Sequence, residues 1–389
     1  RQAREATARA ATAAECAAAG SPPRQVAWRK ALVARLEAGI AVKEADHGSA
    51  RRGFEAGLEL SRECGDRIGV ASCLSSLGTV DLRVGDYAAA VRRLTEALSI
   101  QRSAGDRSGA ASSLLSIAGV HMRRGALPDA EAAMREGLRL FREISDATGI
   151  SQALNNLGNV LYQRSAWDEA LAAYRESLEM RRAAGDRRGV GSCLNNIGIV
   201  HHVRGDWAEA LAVYSEGLEI SRQAGDRVSA GTLLENLGHV HRARGTLDEA
   251  AAAYAEALSI YRDIGDKPGV VGGLRGLGAL QAMRGEPGDA RRFFEEALAL
   301  CRGLGDRASE GMGLDSLGIL QEACGEAAAA EASFREALAL HEAIGNRAGR
   351  AMSLARLAGV LRARGALADA STAADEAARL NEELGQKPE

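Results

Sequence analysis

Four histidines stand in two neighbouring stretches: His201, His202, His239 and His241. Imidazoles grouped this way have the ligand chemistry of a zinc site. His121, His201 and His241, however, are separated by multiples of 40 residues. That regularity points to packing or groove polarity, and no metal is expected. The run GDKPGVVGGLRGLG at 265–278 has the glycine density of a phosphate-cradling loop. It lacks the Lys-Ser/Thr ending such a loop needs, and no strand is expected before it. Pro268 instead suits the start of a helix. Gly272, Gly273 and Gly276 should each weaken that helix by about 1 kcal/mol relative to Ala, which predicts a weak segment or hinge. No His-Glu-x-x-His and no Gly-x-Ser-x-Gly occurs, so no catalytic set and no enzyme is expected. The third candidate is LNNLGNVLYQR at 154–164. Asn is a poor helix-interior residue, yet Asn155, Asn156 and Asn159 fall together among apolar residues. An amide carries donors and an acceptor at once, so it can pair with both backbone groups of an extended peptide.

These residues belong to a long periodic pattern. Gly-Asp-Arg begins at Gly65, Gly105, Gly185, Gly225 and Gly305, with variants at Ser145, Gly265 and Gly345. The spacing is 40 residues or a multiple of it. A second column runs Gly85, Gly125, Gly205, Gly245, Gly285, Gly325 and Gly365, with Ser165 in the gap. Each glycine suits the left-handed end of a helix. A following aspartate, such as Asp66, Asp86 or Asp206, suits the cap of the next one. Each repeat therefore reads as two helices of about 17 residues.

The first helix carries Leu-x-x-Leu-Gly, as at Leu74, Leu77 and Gly78. The second carries a small residue such as Ala170 or Ala210, then a large one four residues on, such as Tyr174 or Tyr214. Neither helix can bury its apolar stripe alone, so the pairs must stack. The first copy is degenerate, with Glu37 where Leu is expected, although Ala50, Phe54 and Leu58 keep phase. At the other end, Ala374 and Ala378 replace the large residues, which fits a solvated cap.

This pattern resembles the tetratricopeptide repeat. Its 40-residue form with Asn-Leu-Gly and Gly-Asp-Arg is similar to the arrays of kinesin light chains, Pins-type polarity scaffolds and bacterial regulators. The resemblance implies an all-α, right-handed superhelical solenoid of antiparallel helix pairs, about nine units with the first degenerate. Residues 1–24 are expected to form an N-terminal helix and Pro-containing linker, 25–384 the solenoid, and 385–389 a tail. The resemblance also implies that first helices line a concave groove where family members bind peptides or protein segments.

On a helix turning about 100° per residue, Ile150, Leu154, Leu157, Gly158 and Leu161 form the buried stripe. Gln152, Asn155, Asn159 and Tyr162 form a second, polar one. The same columns hold Asn195 and His202 in the next repeat, then Glu235, His239 and Arg242. These nine residues are the expected peptide-binding groove. Asn156, Asn196 and Asn236 lie at its edge, where they are expected to be structural. A reading in which the amides bond between adjacent helices stays open beside the ligand reading. Arginines also recur, at Arg124, Arg164, Arg204, Arg244, Arg284 and Arg364, and again at Arg62, Arg102, Arg142, Arg182, Arg222, Arg262 and Arg302. Both columns read as repeat-to-repeat supports and partners of helix C-termini.

Formal net charge is −3, which argues against a basic nucleic-acid binder. Six scattered cysteines fit reduced thiols of a cytoplasmic protein rather than a disulfide framework. No apolar run is long enough for a membrane span. Richness in Ala, Arg and Gly suits a bacterial source. The chain starts at Arg1 without Met, so an upstream effector domain is an expected partner, beside a protein or peptide ligand. The competing functional expectation is therefore a C-terminal sensor of a signalling ATPase, transcription regulator or kinase. No cofactor is expected.

Overall fold

The computed structural model describes residues 22–44 and 46–383. The helix expected over residues 1–19, the tail 385–389 and Cys16 lie outside them. Among the described residues there are 18 helices and no strand. They alternate as first and second members of nine pairs. The pairs are α1 (Pro23–Lys43) with α2 (His47–Cys64), α3 (Arg67–Val84) with α4 (Tyr87–Ala104), α5 (Arg107–Arg123) with α6 (Leu127–Glu143), and α7 (Ala147–Gln163) with α8 (Trp167–Ala183). Then follow α9 (Arg187–Arg204) with α10 (Trp207–Gln223), α11 (Arg227–Arg244) with α12 (Leu247–Ile264), and α13 (Lys267–Met283) with α14 (Pro287–Leu304). The last are α15 (Arg307–Ala323) with α16 (Ala327–Ala343) and α17 (Arg347–Ala363) with α18 (Leu367–Glu383). The chain forms two compact units, one ending at Asp186 and the other beginning at Arg187.

The helix ends follow from local chemistry. Asp66 and Asp106 each accept the backbone N–H three residues on, at 2.8 Å. This satisfies a donor that the helix leaves unpaired. Asp206 departs from the expected capping role. Its side chain makes no cap bond and instead stands 3.1 Å from His201 Nδ1 and 3.2 Å from Arg204 Nε. The glycine columns adopt positive φ throughout, and Ser145 and Ser165 do so as well, at 55° and 58°.

Packing rests on paired small and large residues. A Cβ on Gly238, Gly278 or Gly318 would meet a ring carbon of Tyr254, Phe294 or Phe334 at 2.7, 2.6 and 2.7 Å. Glycine on the first helix thus admits the aromatic ring of the second, and those rings are buried. From Lys267 onward the glycine-rich run lies in α13, capped by Asp266. α13 is unbroken across these glycines. Its glycines serve close approach: a Cβ on Gly272 would strike Glu235, and one on Gly276 would strike Tyr254.

Both ends differ from the middle. The first helix, α1, buries Ala31, Ala38 and Ala41 but leaves Trp28 and Leu36 exposed. In α18, Ala374 and Ala378 face solvent while Ala370, Ala373, Ala377 and Leu380 are buried.

Candidate ligand groove

Within each unit, successive first helices touch one another. In the first unit these are α1, α3, α5 and α7, and in the second α9, α11, α13, α15 and α17. Among the described residues of each unit, successive second helices stand farther apart. They are spanned by long side chains: Arg102 to Glu136 (2.5 Å) and Arg142 to Glu176 (2.7 Å) in the first unit, Arg262 to Glu296 and Arg302 to Glu336 (both 2.8 Å) in the second. The first helices therefore line the inner side of each unit's curve. The Arg–Glu ladder runs along the outer side, where exposed pairs contribute at most about 1 kcal/mol each.

In the first unit, α7 carries four expected groove residues and one edge residue. Gln152 is exposed, and Asn156 and Tyr162 are half-buried. Asn155 is only 9% exposed, so packing claims most of its amide. Asn159 Oδ1 accepts from Tyr174 Oη at 2.7 Å, which ties α7 to α8.

In the second unit, α9 and α11 carry the rest. Asn236 Nδ2 donates to Asn195 Oδ1 at 2.8 Å, joining the two helices, and Asn195 Nδ2 reaches Asn196 Oδ1 at 3.4 Å. Glu235 Oε2 accepts from Tyr261 Oη at 3.1 Å. His239 Nδ1 lies 2.7 Å from Tyr254 Oη, and its ring meets the Tyr254 ring edge-on. Arg242 Nη1 lies 4.0 Å from Met283 Sδ, and its Nε is buried without a hydrogen-bond partner. Burial pushes the His202 imidazole below its ordinary value, and the nearby charges of His239 and Arg242 push it the same way. Burial raises the Tyr254 phenol, against Arg242, and raises the Tyr261 phenol further, with Glu235 adding to it.

The histidine cluster has other partners than metal. His201 pairs with Asp206, and His241 Nδ1 lies 2.8 Å from Thr246 Oγ1. Among the described residues, no group of three or more His, Cys, Asp or Glu could hold a metal ion.

Further along the column of Asn195 and Glu235 stand Arg275 and Asp315. Asp315 is buried; His341 Nε2 lies 3.0 Å from its Oδ2, and Ser353 Oγ donates to its Oδ1 at 2.7 Å. Arg275 has a buried Nε without a partner. Sequence reasoning did not single out Arg275, because it sits in the run that resembles a phosphate loop. Counting 40 residues on from Glu235 would have found it.

Paired helices stacked with a polar inner face define an α-helical repeat solenoid, the architecture of protein-interaction arrays. The tetratricopeptide repeat family model matches residues 31–103, 109–183, 149–223, 189–263 and 229–303, and the chain belongs to that family. No curated protein matches it in sequence. Among solved structures, the apo form of the quorum sensor NprR from B. thuringiensis is similar over 88% of this chain and 96% of its own, with TM-score 0.62 and 16% identity. A Rap protein complexed with competence and sporulation factor covers 91% and 98%, with TM-score 0.61 and 12% identity. A STAND signal-transduction ATPase with a tetratricopeptide repeat sensor, from Pyrococcus horikoshii, is similar over 92% of this chain and 54% of its own, with TM-score 0.60 and 14% identity. At these identities the likeness establishes the fold. Among the described residues, no helix is long and apolar enough to cross a membrane.

Proposed function

We propose that this chain is a non-catalytic binding module that holds an extended peptide, or an extended segment of a partner protein, against its first helices. One observation carries the reading. On α9 and α11, polar groups are anchored on one side and keep bonding capacity on the other. Asn236 spends one N–H on Asn195 and retains a second N–H and its carbonyl oxygen. Groups fixed in this way can pair with an extended backbone without losing much side-chain freedom on binding. His202, Glu235, His239 and Arg242 would add selectivity. Gln152, Asn155, Asn159 and Tyr162 offer similar chemistry on the first unit. Neighbours of the same fold support the reading, one being a quorum sensor and one complexed with a factor. Buried thiols at Cys73 and Cys301, neither in a disulfide, suit the cytoplasmic setting that goes with it. The test is a titration of the chain with a mixed set of blocked, fluorescent extended peptides. Replacing Asn195 and Asn236 together by Ala is expected to weaken binding about tenfold or more across the set. Unchanged affinity would remove this site from consideration.

A second reading makes the array the sensor of a larger signalling protein. It is favoured by the match of 92% of this chain to just over half of the STAND protein. The sequence of the complete gene tests it: an adjoining nucleotide-binding or DNA-binding domain is the expected result, and an isolated array would count against it.

A further inference from the structure

Polar side chains on the column of Asn195 draw partners from two further register positions. One lies 26 residues on, in the second helix of the same pair: Tyr261 serves Glu235, and His341 serves Asp315. The other lies 38 residues on, in the next first helix: Ser113 Oγ lies 2.8 Å from Ser75 Oγ, and Ser353 bonds Asp315. For Arg275 those two positions hold Cys301 and Gly313. A thiol is a weak acceptor, and glycine has no side chain. The consequence is visible at Arg275. Its Nε is buried without a partner, and among the described residues no carboxylate comes within ion-pair distance. Glu235 and Asp315 stand to either side, already engaged by Tyr261, His341 and Ser353.

Beyond Arg275 the inner face exposes apolar side chains, with Glu322 and Arg362 following on the column of Tyr162. Met312 is 36% exposed, Ile319 38% and Met352 46%, all on α15 and α17. Methionine adapts readily to the shape of an apolar partner. The charge pattern narrows the ligand. A guanidinium lacking an acceptor favours an anion. Two flanking carboxylates disfavour a dianion such as a phosphoryl group more than a single negative charge.

We propose that Arg275 receives the side-chain carboxylate of an acidic residue in an extended peptide, with Met312, Ile319 and Met352 receiving an apolar side chain beside it. This rests on the peptide-binding reading above and assigns its ligand chemistry. Burial depresses the Arg275 guanidinium from its ordinary value, against Glu235 and Asp315, in keeping with a charge short of local compensation.

The experiment uses the full chain and octapeptides blocked at both ends, built of Ser and Gly. One position is Glu, Gln or phosphoserine, and Leu or Ser stands two residues to either side. Fluorescence polarisation is expected to rank Glu with Leu tightest. Arg275→Gln should weaken the Glu peptides about ten- to hundredfold and leave the Gln peptides unchanged. Replacing Met312 and Met352 by Ser should erase the preference for Leu alone. Arg275→Gln should melt no lower than the parent, since no protein partner is lost. A lower melting temperature makes Arg275 structural and overturns the inference. So do Gln peptides binding as tightly as Glu peptides, phosphoserine peptides binding more tightly, or a variant effect that ignores charge. If the Asn195 and Asn236 double variant weakens every peptide while Arg275→Gln is silent, the groove stands and this inference falls. If no peptide binds, both fall.

Discussion

Gly276→Ala and Gly359→Ala are the same substitution in the middle of two first helices, yet they should act in opposite directions. Each gains about 1 kcal/mol from replacing glycine in a helix interior. Around Gly359 the added methyl meets only Glu322 Oε1, at 3.7 Å, an ordinary contact. That variant should be more stable by about 1 kcal/mol. Around Gly276 the methyl would lie 2.6 Å from Tyr254 Cε1. The ring would have to retreat by about 1 Å to reach a normal carbon–carbon separation. Its movement is restrained. Gly238 of α11 also packs close to this ring, where a Cβ would stand 2.7 Å from the same ring atom, and Tyr254 Oη is tied to His239 Nδ1 at 2.7 Å. Overpacking of this kind costs about 1–3 kcal/mol, and a strained hydrogen bond about 1 more. After the helix gain, Gly276→Ala should destabilise by about 1–3 kcal/mol. Urea denaturation followed by circular dichroism reads both, with the slope checked because stacked repeats need not unfold in two states. Adding Tyr254→Leu should make room for the methyl, so the two changes should couple by at least about 1 kcal/mol. Equal stabilisation by both alanines, or no coupling, would refute the claim that these glycines exist to admit the ring.

Three further outcomes can be checked on the same material. Asp315→Ala should cost about 3 kcal/mol, because it leaves His341 Nε2 and Ser353 Oγ buried without their partner; a urea-midpoint loss below about 1 kcal/mol would contradict the role assigned to this network. Ser165→Gly should raise the melting temperature, since a φ of 58° strains serine by about 1–2 kcal/mol and glycine's looser unfolded chain returns about 0.4–1 of it; a lower melting temperature would argue against strain at this turn. Burial holds the Tyr254 and Tyr261 phenols above their usual 10.0, so their neutral forms favour the fold. That contribution is whole below about pH 10 and is lost as pH climbs through the folded values. The urea midpoint should fall above pH 10, and less steeply in the Tyr254→Phe, Tyr261→Phe variant; matching slopes would refute the assignment.

The solenoid was legible because its punctuation is chemical. A left-handed glycine followed by aspartate can end one helix and begin the next, and the 40-residue register let Ser145 and Ser165 be placed in turns. Depth was less legible. Periodicity assigned Asn155 and Gln152 to one stripe, but only the packing of neighbouring helices leaves Gln152 exposed and covers Asn155. Partners beyond the local helix were hidden for the same reason. Asp206 looked like a cap, yet His201 and Arg204 fold back to its carboxylate. Asn236 meets Asn195 across a helix boundary, and the offset of one residue between their columns comes from how successive pairs stack.

The register gives the repeats a rule about where binding capacity can arise. On the Asn195 column, Ser75, Glu235 and Asp315 are bonded by side chains 26 or 38 residues later, and Asn195 by Asn236, 41 residues later. Glu235 meets the rule once and Asp315 twice, so each has a partner inside the protein. Leu115 avoids it by being apolar, with Phe141 at the 26-residue position and Ala153 at the 38-residue position. Arg275 meets it nowhere. In a fold built by repetition, a site for something outside the chain need not announce itself by a motif. It can be a place where the register supplies a charged group and withholds both of the partners it supplies elsewhere.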